Sequence, residues 1–293
     1  MERQDRIAFH VHQDTVIGAL HLPVGQGRCP AAIVGGPMTS VKEQVTGVYA
    51  AALAERGIAA LALDHRHYGE SGGEPRQYEN CHHKIEDLRY GLDFLATHDR
   101  VDPDRIGAVG ICLGAGYVLH AAAGNPRVRA AAAVVGYYRD VPAMRAADPD
   151  GFQAKVDQGI AARKHYEATG EALTIPAAAL KGDAAMTLQS TYDYYATPRA
   201  GVPNYTNAFA VMSREHFLAF DVQSVAPRVT VPVAMVHSEN GLSPSWARKF
   251  HAALPKAAPI HWMDGPNQTA FYDNPRLVRQ AIDVVEAHLQ GSF

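Results

Sequence analysis

Cysteine is scarce in this chain: Cys29, Cys81 and Cys112 are the three among 293 residues. No two of them form a CxxC pair, and no His-x-x-x-His spacing occurs among the 15 histidines. A structural zinc site is therefore not expected, and neither is any other metal or cofactor. An odd, small cysteine count argues against a disulfide framework and points to a reducing cytoplasm. No apolar run reaches the roughly 18 residues of a membrane span. The opening "MERQDRIAFHVHQD" is charged and lacks the apolar core of a signal peptide. Charge of one sign is also missing: 27 basic residues stand against 30 acidic ones, a net charge of -3. Such a surface has no basic stripe for nucleic acid and no polybasic patch for a membrane. The partner to expect is a small molecule, and the reading leaves room for a homodimer.

Apolar residues are plentiful, at 47%. They fall in short runs: 16–23, 31–37, 58–64, 105–111, 129–136, 231–238 and 258–265. Between them lie helical patterns at 42–56, 84–98 and 275–289. Runs this apolar, separated by helices, predict a mostly parallel sheet covered on both faces. The rhythm stops after 136 and resumes at 231. The stretch between is rich in helix formers and aromatics ("STYDYYATPRAGVPNYTNAF") and shows no clear strand. The expected division is a core at 1–139, a helical lid at 140–226 and the rest of the core at 227–293. Ligands of open α/β sheets bind at the C-terminal strand edge, where such a lid would sit. A separate second domain is the competing reading.

One stretch carries chemistry. "GAVGICLGAGY" (108–118) places Gly110-Ile-Cys112-Leu-Gly114 after an apolar strand and before a small-residue helix. This is the G-x-nucleophile-x-G elbow, whose strained turn tolerates only small neighbours. A helix N-terminus there lowers a thiol's pKa and supplies backbone N–H donors. One oxyanion donor would be the N–H of Leu113. The other would come from the loop after the 31–37 strand, with Met38 as the candidate. A buried structural cysteine, and a loop merely capped by Thr39 or Ser40, are the plainer alternatives.

"GGPMTSVKEQ", "LDHRHYGESGGEPRQYEN", "VDPDRIGAVGICLGAGY" and "TPRAGVPNYTNAFAVMS" resemble the α/β-hydrolase superfamily. The likeness is to the branch of dienelactone hydrolases, acetyl-xylan-esterase-like proteins and fungal polyketide transferases. It implies an α/β-hydrolase fold with a helical lid, and acyl chemistry on esters, lactones or thioesters. It also implies that cysteine at the elbow is normal. Against the branch's pattern, the acid slot after the 231–238 strand falls on Gly241, with Glu239 nearby. The histidine slot falls on Gln268, and Gly36-Pro37 replaces the frequent His-Pro. Glutamine cannot take a proton near neutral pH, though it can hold a thiol or a carbonyl by hydrogen bonds. His67, with His65 beside it, His237 and His216 are the substitute bases to consider. Tyr68, Tyr137, Tyr192, Tyr194, Tyr195, Tyr205, Phe209, Phe217 and Trp262 are candidate pocket residues, with lid packing as their alternative role.

The function expected is acyl transfer at Cys112 on a small-molecule ester or thioester, the donor being a carrier-bound acyl thioester in specialised metabolism. The alternatives are a non-hydrolytic lyase, isomerase or cyclase on the same fold, or a catalytically silent binding protein.

Overall fold

The computed structural model describes residues 3–293. In chain order the first elements are β1 (Arg3–Val11), β2 (Asp14–Leu22), β3 (Cys29–Gly35), α1 (Val45–Glu55), β4 (Ala59–Asp64), α2 (Cys81–Thr97), β5 (Val101–Ile111), α3 (Leu113–Ala122) and β6 (Val128–Val134). Then follow α4 (Val141–Ala147), α5 (Pro149–Thr169), β7 (Thr174–Ile175), α6 (Gln189–Tyr195), β8 (Phe209–Ala210) and α7 (Ser213–Ala219). The chain closes with β9 (Val233–His237), α8 (Pro244–Ala252), β10 (Ala257–Trp262), α9 (Ala270–Asp273) and α10 (Pro275–Ser292).

Eight strands form one sheet in the order β1-β2-β4-β3-β5-β6-β9-β10. β1 and β2 are antiparallel, and the pairings from β4 to β10 are parallel. All of β4 is buried, as its unalternating "AALALD" requires of a strand covered on both sides. Two glycines identify the two helical layers. A Cβ at Gly91 of α2 would lie 2.5 Å from Ile33, and one at Gly107 of β5 would lie 2.7 Å from Leu289 of α10. Gly107 pairs with Ala32, so these contacts fall on opposite faces of β3 and β5.

β1 lies outside the sequence reading. It is a half-exposed edge strand whose apolar members, Ile7, Phe9 and Val11, alternate with polar residues. α2 starts at Cys81, three residues earlier than its apolar periodicity suggests, because the Asn80 side chain caps it by accepting the His82 and His83 N–H groups at 3.0 and 3.3 Å.

The interval from 140 to 226 holds several helices, the two-residue strands β7 and β8, which pair with each other, and irregular stretches at 176–188 and 201–208. Its loops are tied to the C-terminal edge of the sheet. Gln44 Nε2 donates to Ala200 O at 3.0 Å, the Glu79 N–H to Ser213 Oγ at 2.9 Å, and Thr269 Oγ1 to Ser190 O at 3.1 Å. Arg199 pairs with Asp273 at 2.6 Å. Among the described residues no helix is long and apolar enough to cross a membrane.

Strain gathers at the same edge. Thr39, His67, Cys112, Val135 and Ser243, at φ +61°, +77°, +56°, +40° and +47°, each follow one of the parallel strands β3, β4, β5, β6 and β9. Non-glycine residues at positive φ are uncommon, and β-branched ones such as Thr39 and Val135 are outliers.

Candidate active site

Cys112 sits where β5 breaks into α3, at φ +56° and ψ -127°. The turn closes only because its neighbours are small. A Cβ at Gly110 would lie 2.4 Å from Ala115 Cα, and one at Gly114 would lie 2.3 Å from Gly35 O. The second contact brings the end of β3, and with it the Met38 loop, against the elbow. The Cys112 backbone is clamped by β6: its N–H donates to Val134 O at 3.1 Å, and its carbonyl accepts the Tyr137 N–H at 2.9 Å.

Cys112 is 6% exposed. Burial pushes its thiol up from the ordinary value, while the Tyr272 hydroxyl, the Leu113 N–H and the Gln268 amide act on it the other way. None of the groups acting most strongly on the thiol is an imidazole. Tyr272 is fully buried, and burial together with the adjacent thiol holds its phenol well above the ordinary range. Gln268 is locked in orientation. Its Nε2 donates to Val135 O at 2.6 Å, and its Oε1 accepts the Leu242 N–H at 3.0 Å. The second Nε2 hydrogen remains for the thiol and the Tyr272 hydroxyl, both of which respond to this amide.

Gly241 faces this glutamine. A Cβ there would lie 3.2 Å from Gln268 Oε1 and 3.1 Å from His237 Cε1. Glu239 turns away, more than half exposed, into an ion pair with Arg248.

The Met38 side of the site is organised by Glu79, a residue with no exposed surface. Its carboxylate accepts the Thr39 N–H at 2.9 Å, the Tyr68 hydroxyl at 2.8 Å, the Tyr117 hydroxyl at 2.6 Å and Lys84 Nζ at 2.9 Å. Burial opposes the charge, but Lys84 and these donors hold the carboxyl below its ordinary value. Pro37 has no N–H and Thr39 gives its own to Glu79, so Met38 carries the loop's first amide available to a ligand. In "RQYENCHHK" Lys84 alone is a local partner of Glu79; the other three come from separate segments of the chain.

The candidate substitute bases lie elsewhere. His67 hydrogen-bonds Pro75 O at 3.0 Å and His83 Nδ1 at 2.8 Å, and burial, with the His83 charge, lowers it to about 4. His65 is tied to Asp87. His237 is buried behind Gly241, bonded to Gly136 O at 3.2 Å and to Ser238, and burial lowers its pKa. His216 borders a surface pocket with Cys81, His82 and His120.

Tyr137 and Tyr195 both feel the charge on Cys112, and the Tyr195 and Tyr205 rings lie 5.6 Å apart. The hydroxyls of Thr39, Tyr195 and Tyr205 are buried; those of Thr39 and Tyr205 act on each other, and that of Tyr195 has no hydrogen-bond partner among the described residues. The Tyr195 hydroxyl, close enough to interact with the thiol, is left as a donor for a polar ligand. Phe217 lies under Arg139, and Trp262 packs against His237. Glu43, Asp64 and Glu70 converge as metal ligands would, but Lys42 Nζ occupies their centre at 2.6, 2.8 and 2.6 Å.

A family model described as serine aminopeptidase, S33, matches residues 43–265. The uncharacterized protein YcjY of Escherichia coli strain K12 is 33% identical over 270 residues, covering 87% of this chain and 86% of its own. The crystal structure of the hypothetical protein PA2218 from Pseudomonas aeruginosa aligns with a TM-score of 0.83 at 28% identity, over 100% of this chain and 94% of that one. Over a shorter span, the thiohydrolase aneE of Aspergillus aculeatus is 35% identical over 112 residues, 38% of this chain and 35% of its own. The sheet order, the strained elbow and these likenesses agree: the chain belongs to the α/β-hydrolase family.

Proposed function

We propose that the protein transfers acyl groups from a small-molecule or carrier-bound thioester, with Cys112 as the covalent nucleophile beneath a lid formed by residues 140–226. The observation that carries this reading is the set of groups around the thiol. It is a cysteine at positive φ, faced by the Leu113 N–H, the Tyr272 hydroxyl and the Gln268 amide, and not by an imidazole. Such a site has no strong base with which to activate water. It suits a donor whose own leaving group accepts the proton. The Cys112 sulfur adds to the thioester carbonyl, and the oxyanion is received by the Met38 and Leu113 N–H groups. The carbon–sulfur bond of the donor then breaks. The proton of Cys112 passes through the Tyr272 hydroxyl to the departing sulfur, so an acyl-cysteine and a free thiol result. An acceptor hydroxyl or amine reverses these steps and restores the Cys112 thiol. Gln268 orients sulfur and phenol throughout. The name of the partial relative, a thiohydrolase, accords with thioester chemistry.

Intact-mass spectrometry after incubation with a panel of acyl thioesters tests this. An acyl adduct on Cys112, absent from Cys112→Ala, is the expected result. Turnover that survives in Cys112→Ala would sink the reading. A second reading, proton shuffling on an enolate by a lyase, isomerase or cyclase, is favoured by the neutrality of both Cys112 and Tyr272 at physiological pH. It requires no adduct.

A further inference from the structure

Arg139 has no use in the mechanism above, yet its position is costly. It lies in the loop after β6 and is 1% exposed. Its Nε has no hydrogen-bond partner among the described residues. Among the described residues its guanidinium makes one hydrogen bond, a long one from Nη2 to Leu218 O at 3.4 Å, and lies 4.2 Å over the Phe217 ring. The flanking carboxylates are committed to other groups. Asp221 accepts the Val141 and Ser224 N–H groups, each at 2.9 Å, while Asp140 caps α4 and pairs with Lys249. The charge of Asp221 acts on Arg139 from nearby, but among the described residues no carboxylate pairs with the guanidinium directly, and a buried guanidinium so placed is expensive. Arginine's planar fork is suited to a carboxylate held by two parallel bonds.

Its location connects it to the thiol. The Tyr137 N–H is bound by the Cys112 carbonyl, and the Arg139 N–H by the Tyr137 carbonyl at 3.0 Å. The Tyr137 phenol feels the charges of both Arg139 and Cys112. Two consecutive backbone hydrogen bonds through Tyr137 thus connect the Arg139 position to the Cys112 turn. Tyr137 is only partly buried and stacks on Trp246 at 6.1 Å between ring centroids. α7, which carries Phe217, closes over Arg139 from the lid side.

We infer that Arg139 anchors a carboxylate carried on the acyl part of the substrate, so that the preferred donors are half-thioesters of dicarboxylic acids. That the anionic molecule is an acyl donor rests on the acyl-transfer reading; the anion site itself does not. A phosphate on the carrier arm would offer similar charge. It belongs to the leaving group, however, and is absent from N-acetylcysteamine thioesters.

The test separates these sources and both readings. Uncharged N-acetylcysteamine thioesters of butyrate, succinate, glutarate and adipate remove every phosphate. Wild-type protein is expected to favour one of the anionic acyl groups over butyryl on the order of 10- to 100-fold in kcat/KM, the size of one charge-assisted contact. Arg139→Met is expected to erase that ratio, and Arg139→Lys to keep part of it. Calorimetry on Cys112→Ala with monomethyl glutarate against methyl butyrate reads the anion site with no chemistry. Selective binding there would stand even if no thioester ever acylates Cys112. Unliganded Arg139→Met should melt no lower than wild type, since it loses an unpaired charge. Equal binding of charged and uncharged analogues by the unaltered Arg139 side chain would overturn the inference, whether or not the variants fold. So would an Arg139→Met protein that keeps the anion preference.

Discussion

Gly241 and Gln268 face each other: a Cβ at Gly241 would lie 3.2 Å from Gln268 Oε1. The slots in which the resemblance expects an acid and a histidine are therefore neighbours, and neither holds an ionisable group. The change is paired. A histidine at 268 would lack its carboxylate, and a carboxylate at 241 would lack its histidine.

Restoring the pair should restore base catalysis. Gln268→His should raise hydrolysis of simple activated esters and add an inflection to the pH–rate profile near an imidazole pKa. Gly241→Asp with Gln268→His should raise it further, because the added carboxylate orients the ring. The contacts at 3.1 and 3.2 Å around the Gly241 position are tight, so the double variant is expected to lose some stability. Stopped-flow assays of ester turnover against pH check this. Silence of both variants would remove Gln268 from the site.

Tyr272→Phe should make Cys112 a poorer thiolate. The hydroxyl favours the ionised sulfur, and burial already holds the thiol above its ordinary value. Its removal raises the thiol pKa further, so alkylation of Cys112 should slow at any fixed pH below the midpoint. The midpoint itself should move upward. Rates of iodoacetamide labelling at Cys112, followed by peptide mass spectrometry from pH 7 to 10, read this directly. An unchanged profile would place Tyr272 outside the proton path.

Glu79→Gln should be severe. It strands Lys84, 1% exposed, which pairs with Glu79 at 2.8 Å, and it weakens the bond that holds the Thr39 N–H. Breaking a buried ion pair costs about 3–5 kcal/mol. The double change Glu79→Gln with Lys84→Met should cost less than Glu79→Gln alone, because no bare charge remains. Urea unfolding of the three proteins tests the order. A loss of acyl transfer that persists in the double variant would mark Glu79 as the positioner of the Met38 loop.

His67 makes the fold acid-sensitive. Its folded pKa is depressed to about 4, below the ordinary histidine value, by burial and by its neighbour His83. The unfolded chain binds the proton first. The contribution is therefore complete above about pH 6.5 and is lost as pH falls toward 4, at roughly 1.4 kcal/mol per pH step of one within that window. Melting temperature should decline across the same range. In His67→Gln the decline should be shallower, and an identical decline would assign it to other groups such as His120, which burial also lowers to about 4.

The sequence by itself settled what depends on neighbours along the chain. Apolar runs such as "AALALD" point to strands buried on both faces, and the glycines around Cys112 to the small neighbours of a strained elbow. That was enough for the fold class, for the nucleophile candidate and for the opposed gaps at Gly241 and Gln268. β1 escaped because its large apolar residues, Ile7, Phe9 and Val11, come only after the charged and polar Arg3-Gln4-Asp5-Arg6, on a half-exposed strand. What tertiary structure alone decided are the groups that meet from distant segments. Tyr272 is four residues from Gln268, so the sequence set the distance between them, yet nothing local said that its hydroxyl would reach the thiol. Glu79 collects Thr39, Tyr68 and Tyr117 from other parts of the chain, besides the nearby Lys84. Arg139 looks like an ordinary surface arginine until α7 covers it and leaves its Nε unpaired. Burial and convergence are properties of the packed chain: a residue's charge is written in the sequence, but its desolvation and its partners arise only when the distant segments pack around it.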